Sequence, residues 1–119
     1  FGCFMWTVIT TNLFSEWLDE QDESTQEKVL AGLLVLQQQG PSLGRPLVDT
    51  VSGSKFTNMK ELRIQHKGKP LRAFFVFDPL RQAIVLCMGD KSGKKRFYIE
   101  MIAIADEEYA HHLSTLGEH

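Results

Sequence analysis

The chain has 119 residues, of which 43% are hydrophobic and 24% are charged. This length suits one compact globular domain, which we expect over residues 5–116, and it is too short for two ordinary domains. Residues 1–4 are interpreted as a leader, either non-native or disordered, because Met5 has the character of an initiator. No apolar run approaches the roughly 20 residues that cross a bilayer, which excludes a membrane span and predicts a soluble protein.

Charge is unevenly distributed along the chain, whose net charge is −2. Residues 1–57 contain three lysines and arginines against seven acids, and residues 99–119 contain five acids and neither cation. Residues 58–98, in contrast, contain ten lysines and arginines against three acids. A basic segment of this kind is a candidate surface for binding a polyanion, although the whole protein is not basic.

The two cysteines form no CxxC pair and have no histidine or cysteine companions at metal-ligand spacing. Neither a disulfide framework nor a zinc site is therefore indicated, and we expect no metal and no other cofactor. Free cysteines fit a reducing compartment, so the cytoplasm is the predicted location.

The N-terminal half predicts a strand followed by two helices. Residues 6–11 alternate apolar with hydroxyl side chains, as a short strand does. Asn12 can cap the first helix, and the Ser-Thr-Gln-Glu run that starts at Ser24 has the pattern of a capping box for the second. Gly40 and the proline that follows it end that helix. Residues 41–58 predict a long connection with room for one short strand near residues 47–51.

The C-terminal half predicts three strands, over residues 59–65, 71–77 and 82–88, and a final helix from about Lys94. Short connectors with turn chemistry join the strands and favour an antiparallel meander. The fold class is α+β in the order β-α-α-β-β-β-α, with a small, mainly antiparallel sheet. We expect the two N-terminal helices on one face of the sheet, the C-terminal helix near its edge, and Glu61 and Arg63 on an exposed face.

Spaced segments of the basic region resemble toxins of the RelE/ParE superfamily. They are Lys60-Glu-Leu-Arg-Ile64, Leu71-Arg-Ala-Phe-Phe75, Gly89-Asp-Lys91 and Lys95-Arg-Phe-Tyr98. The similarity is greatest to the HigB-like, phage-derived (Gp49-like) branch, and it extends from residue 5 to about residue 113. It implies a RelE-like fold and the toxin of a type II toxin–antitoxin module. Such a toxin cuts messenger RNA in the ribosomal decoding site without a metal, and a helix-turn-helix antitoxin neutralises it.

The same resemblance implies the site residues. Arg63 and Arg72 match the strand positions that hold the scissile phosphate, a task that suits the planar, permanently charged guanidinium. The implied catalytic residues are Glu61, Arg63, Arg72, Lys91 and Tyr98, and the implied RNA-binding residues are Lys60, His66, Lys94, Lys95 and Arg96. Arg63 stands where some relatives carry a lysine, so the proton acceptor stays open between Glu61 and His66.

Two alternative functions and the role of Arg72 remain open at this stage. A ParE-like member of the superfamily would inhibit DNA gyrase by protein contact, and a non-catalytic member would only bind nucleic acid or a partner. Arg72, which stands among phenylalanines, either pairs with a carboxylate such as Glu61 or faces a functional groove. Convergence of Arg63, Arg72 and Lys91 on one phosphate favours cleavage, whereas their dispersal favours gyrase inhibition.

Overall fold

A computed structural model describes residues 5–117, and the predicted leader at residues 1–4 lies outside them. Three α-helices and five strands occur in the described chain. In chain order they are β1 (Thr7–Thr10), α1 (Asn12–Asp19), α2 (Glu23–Gln39), β2 (Val48–Thr50), β3 (Lys60–His66), β4 (Lys69–Phe77), β5 (Gln82–Asp90) and α3 (Phe97–Leu116). None of the helices between residues 5 and 117 has the length and hydropathy of a membrane span.

The strands form one mixed sheet in the order β1-β5-β4-β3-β2. Strands β2 to β5 are antiparallel neighbours, which confirms the meander and the additional short strand. The sheet is mainly antiparallel, as predicted, and the exception is one edge, where β1 pairs with β5 in parallel. Parallel neighbours need a long connection, and here both N-terminal helices and the rest of the meander lie between the two strands.

The sheet is covered on both faces. Helices α1 and α2 pack on one face through buried residues such as Phe14 and Leu36. Helix α3 packs on the opposite face, over β4 and β5, so its expected position near the sheet edge is wrong. A β-bulge in β5 helps to explain this position, because it turns both Leu86 and Cys87 toward α3 and widens the apolar surface there.

The helix starts differ from the sequence prediction by one to three residues. Thr11, rather than Asn12, caps α1, and its hydroxyl also donates to a carbonyl of the β5 bulge at 2.6 Å. Asp22 caps α2 in place of the expected serine capping box. Helix α3 begins at Phe97 rather than near Lys94. Thr11 and Asp22 accept hydrogen bonds from free amides at the starts of α1 and α2. At α3 the turn instead continues from Lys94 to Phe97 before the helix begins.

The end of α2 packs directly against the start of β1. Gly40 has a φ of 56°, as expected for the residue that ends the helix, and a Cβ atom there would lie 2.3 Å from the Trp6 ring. The Trp6 amide donates to the carbonyl of Gln37 at 2.8 Å, which fixes the same junction. Only glycine therefore fits between α2 and β1.

We predict that Gly40→Ala lowers the free energy of unfolding by about 3 kcal/mol or more, because positive φ costs about 1–2 kcal/mol and overpacking costs about 1–3 kcal/mol. Gly53→Ala is the matched control, since Gly53 also has positive φ but has open space around its Cα. It should cost only about 1 kcal/mol. Urea denaturation of both variants checks this, and equal losses would contradict the proposed clash with Trp6.

Candidate active site

The buried carboxylate of Glu61 lies at the centre of a cluster on the sheet face that carries Arg63 and Arg72. Glu61 is only 4% exposed. The Tyr98 hydroxyl donates to its Oε1 at 2.7 Å, and Nε and Nη2 of Arg63 both donate to its Oε2 at 3.2 Å. Arg72 Nε lies 3.6 Å from Oε1, which is an ion-pair distance. Arg63, Arg72 and Tyr98 thus surround Glu61, and the resemblance implies a catalytic role for all of these residues.

Strand register explains this convergence. Arg63 and Arg72 lie directly opposite each other on β3 and β4, and Glu61 lies opposite Phe74. Alternation along the strands directs all four side chains to the α3 face of the sheet. The first turn of α3 then brings the Tyr98 ring edge-on to Phe74, with 6.0 Å between centroids. The expected solvent-exposed face is therefore partly covered, because the start of α3 buries Glu61.

Arg72 is held less completely than its neighbours. Its side chain is 12% exposed, and Nη1 donates to the Leu71 carbonyl at 3.0 Å. Its Nε is buried and has no hydrogen-bond partner in the described chain, since the 3.6 Å approach to Glu61 is too long. Buried donors normally have partners, so a small movement of Arg72 toward an anion or toward Glu61 is favourable. Arg72 pairs with Glu61, which is one of the two alternatives that its sequence context left open, and it also borders a cavity lined largely by residues of α2 and β3.

Asp49 belongs to the site but was missed by the sequence analysis. It lies opposite Glu61 in the β2–β3 register, and its Oδ2 contacts Nη2 of Arg63 at 3.3 Å and Nε of Arg45 at 3.2 Å. The hydrogen bond from Arg45 holds the pKa of Asp49 below its ordinary value. The available signal was an aspartate within the short strand expected near residues 47–51.

Lys91 and Tyr98 extend the site toward the loop before α3. The Lys91 ammonium lies 5.5 Å from the centroid of the Tyr98 ring, in cation–π geometry. Burial, and next the hydrogen bond to Glu61, raise the pKa of Tyr98. The phenol therefore stays protonated at neutral pH and acts as a donor. Lys94 and Lys95 border a shallow cavity beside it, whereas the exposed Arg96 lies 3.9 Å from Glu100.

Two of the implied RNA-binding residues lie apart from Glu61. Lys60 and His66 occupy alternate positions on β3 from Glu61 and Arg63, so their side chains lie toward the opposite face. His66 Nε2 is 3.1 Å from the Ser24 hydroxyl on α2, and Lys60 Nζ is 3.2 Å from the Thr50 hydroxyl. As a candidate proton acceptor, His66 is therefore less well placed than Glu61.

The chemistry available outside this cluster is limited. Within residues 5–117, no group of three or more histidine, cysteine, aspartate and glutamate side chains is arranged to hold a metal ion. Burial raises the pKa of the Cys87 thiol to about 12, which leaves it protonated and a poor nucleophile. The site therefore offers charge stabilisation by guanidinium groups, a protonated phenol and the carboxylates of Glu61 and Asp49.

Comparisons with known proteins connect this geometry to a family. The family model described as "Phage derived protein Gp49-like (DUF891)" matches residues 16–110. The candidate toxin HigB2 of Mycobacterium tuberculosis is 48% identical over 115 residues, which are 95% of this chain but 57% of HigB2. The candidate toxin HigB3 of the same organism is 41% identical over 109 residues, which are 91% of this chain and 94% of HigB3. The chain thus spans little more than half the length of one relative and nearly all of the other.

A solved structure of a double mutant of the Escherichia coli toxin RelE in the free state has a similar fold. The TM-score is 0.57, and the match covers 82% of this chain and 98% of RelE. Because only 9% of the residues are identical, the likeness concerns the fold alone. With residues 16–110 matched by the family model and with HigB2 and HigB3 at 48% and 41% identity, the chain belongs to the phage-derived Gp49-like family that includes these HigB proteins.

Proposed function

We propose that this protein is the toxin of a type II toxin–antitoxin module and that it arrests translation by cutting messenger RNA. The observation that carries the proposal is the convergence of Arg63, Arg72 and Tyr98 on the buried Glu61, beside the cationic loop that contains Lys91. The relatives named as toxins support the same role. The substrate would be messenger RNA in the ribosomal decoding site, and the location would be the cytoplasm.

In the proposed reaction, the RNA 2′-hydroxyl attacks the adjacent phosphate and the 5′-oxygen of the next nucleotide leaves. Arg63 and Arg72 would bind the non-bridging oxygens and stabilise the extra negative charge of the phosphorane. The described cluster has four cations, on Arg45, Arg63, Arg72 and Lys91, against the carboxylates of Asp49 and Glu61. This excess of positive charge favours phosphate binding.

Proton transfer is assigned to the remaining two groups. Tyr98, which is protonated at neutral pH, would donate a proton to the leaving 5′-oxygen. Glu61 anchors both arginines before RNA binds. When phosphate oxygens take up N–H groups of the arginines, an oxygen of Glu61 becomes free to accept the proton of the attacking hydroxyl.

The partners would be the ribosome and an antitoxin. We propose that Lys94, Lys95 and Arg96 contact RNA backbone phosphates around the site, as clustered cations next to an aromatic side chain do. Lys60 and His66, on the other face, would contact RNA only where it passes around the sheet edge. A helix-turn-helix antitoxin would neutralise the toxin by covering the basic surface.

Gyrase inhibition and simple binding are the competing functions for this fold. Gyrase inhibition would need no convergent phosphate site. Arg63 and Arg72 both contact Glu61. Lys91 lies at the ring of Tyr98, which also contacts Glu61, so the arrangement of these three cations supports RNA cleavage. A module that only binds RNA would retain affinity but leave the RNA uncut. Cleavage in a translating extract therefore distinguishes the proposed function from both alternatives.

We predict that purified protein added to a translating extract cuts messenger RNA, and that Arg72→Ala reduces the cutting rate by about 100-fold or more. Loss of one preorganised charge-stabilising donor has an effect of about that size. Primer extension measures the cuts. Lys67→Ala is the control, because Lys67 is an exposed cation that pairs with Asp22 away from the site, and it should stay within about twofold of the wild type. Uncut RNA with the wild type, while cells expressing it still stop growing, would refute the proposal.

We predict that Tyr98→Phe slows cutting by about 100-fold or more, in the usual range for loss of a general acid. The raised pKa means that wild-type Tyr98 stays protonated from pH 6.5 to 8.5 and loses its proton only above the ordinary tyrosine value of about 10. The advantage of wild type over variant should therefore be constant over that range when single-turnover rates are compared. An advantage that disappears by pH 8.5 would contradict the assignment of Tyr98 as the acid.

A further inference from the structure

A wide groove adjoins the candidate active site. It lies between residues 52–56 and helix α3, and its volume is about 870 Å³, which is within the usual range of ligand-binding pockets. Its lining is mostly apolar, and Ile99 in its wall is 61% exposed. Tyr98 also lines it, so the groove opens onto the residue that contacts Glu61. The apolar side chains that line it are Phe56, Ile99, Ile102, Ala103 and Ala110.

The wall opposite α3 is held in place by hydrogen bonds. Both oxygens of the buried Asp106 carboxylate are engaged, one by the Ser54 hydroxyl at 2.5 Å and the other by the Lys55 amide at 2.9 Å. The Phe56 ring also packs edge-to-face on Tyr109, with 4.8 Å between centroids. The groove therefore exists before a ligand arrives, and each oxygen of Asp106 already accepts a hydrogen bond from the opposite wall.

The groove lies where a nucleotide adjacent to the scissile phosphate would be placed. If the scissile phosphate lies at Arg63 and Arg72, the bound RNA strand can continue past Tyr98 in two directions. One direction leads to the cationic loop of residues 91–96, and the other leads into the groove, where Lys55 provides a cation. Aromatic side chains with a nearby cation are the usual surroundings of a base and its phosphate in single-stranded RNA, and the groove has Phe56 and Tyr98 in its lining together with Lys55.

We propose that this groove binds the nucleobase next to the scissile phosphate and that Glu107 in its wall selects among bases. This inference rests on the proposed RNA cleavage. Glu107 lines the groove, is exposed, and has a carboxylate that only accepts hydrogen bonds. Adenine, cytosine and guanine each present an amino group to such an acceptor. Uracil presents a single N–H between two carbonyl oxygens, which repel the carboxylate, so uracil is the disfavoured base.

The matched pair Glu107→Gln and Glu108→Gln tests the selection. Both changes remove one negative charge from adjacent positions of α3, but Glu108 lines a different cavity, near the start of α1. Each purified protein is added to a translating extract with messenger RNAs in which the nucleotides flanking the cut are varied, and the cut ends are sequenced. We expect the wild type and Glu108→Gln to disfavour uracil at least fivefold at one flanking position. In Glu107→Gln the difference should fall below twofold.

Two outcomes would overturn the inference. One is a wild-type profile without discrimination against uracil at either flanking position, and the other is an unchanged profile in Glu107→Gln. If the wild type makes no cuts, the proposed function fails, and the groove is judged by binding instead. Fluorescein-labelled heptamers of adenosine, cytidine and uridine are titrated with each protein. The uridine heptamer should then bind at least fivefold more weakly to the wild type, and equal affinities for the three heptamers overturn the inference.

A second pair of variants tests whether the groove is occupied at all. Ala103→Trp fills the groove, whereas Ile104→Trp places the same side chain on the next, partly exposed residue of α3, outside the groove. We expect Ala103→Trp to weaken binding of the adenosine heptamer at least tenfold and Ile104→Trp to change it by less than twofold. Equal affinities of the two variants would show that RNA does not enter the groove.

Discussion

The ionic contacts of Glu61 constrain the rest of this structure. A carboxylate that is 4% exposed loses most of its hydration, and only close cations and donors can offset that loss. Arg63 provides such contacts from the same strand as Glu61, and Arg72 from the adjacent strand β4. Tyr98 provides one from the start of α3. Because a buried charge without partners costs several kcal/mol, the β3–β4 register and the first turn of α3 are fixed together.

The same contacts describe a resting state that is ready to exchange partners. Arg63 is shared between Asp49 and Glu61, and Arg72 has a buried donor without a hydrogen-bond partner. A phosphate that reaches these groups replaces one set of oxygen acceptors by another, so the guanidinium groups need not be desolvated again. In the proposed reaction, this arrangement would act as electrostatic preorganisation, because the charges are placed when the protein folds and not when RNA reacts.

The sequence predicted local features more successfully than distant ones. Strand alternation correctly put Glu61, Arg63 and Arg72 on one face, because the period of two is a property of the strand itself. It could not predict that α3 would cover this face, since the position of α3 depends on packing against β4 and β5. Asp49 was missed for a similar reason: a three-residue strand has too little pattern to reveal its register with Glu61.

The bulge in β5 sets the direction of the loop that follows it. Leu86 is the extra residue of that strand, so Gly89 lies opposite Arg72 and shares its face of the sheet. Without Leu86, every side chain of β5 on one side of the bulge would point to the opposite face of the sheet. A one-residue insertion thus determines the side from which the cationic loop leaves the sheet. Deletion of Leu86 would therefore re-aim the loop that carries Lys91 without changing any residue of the site.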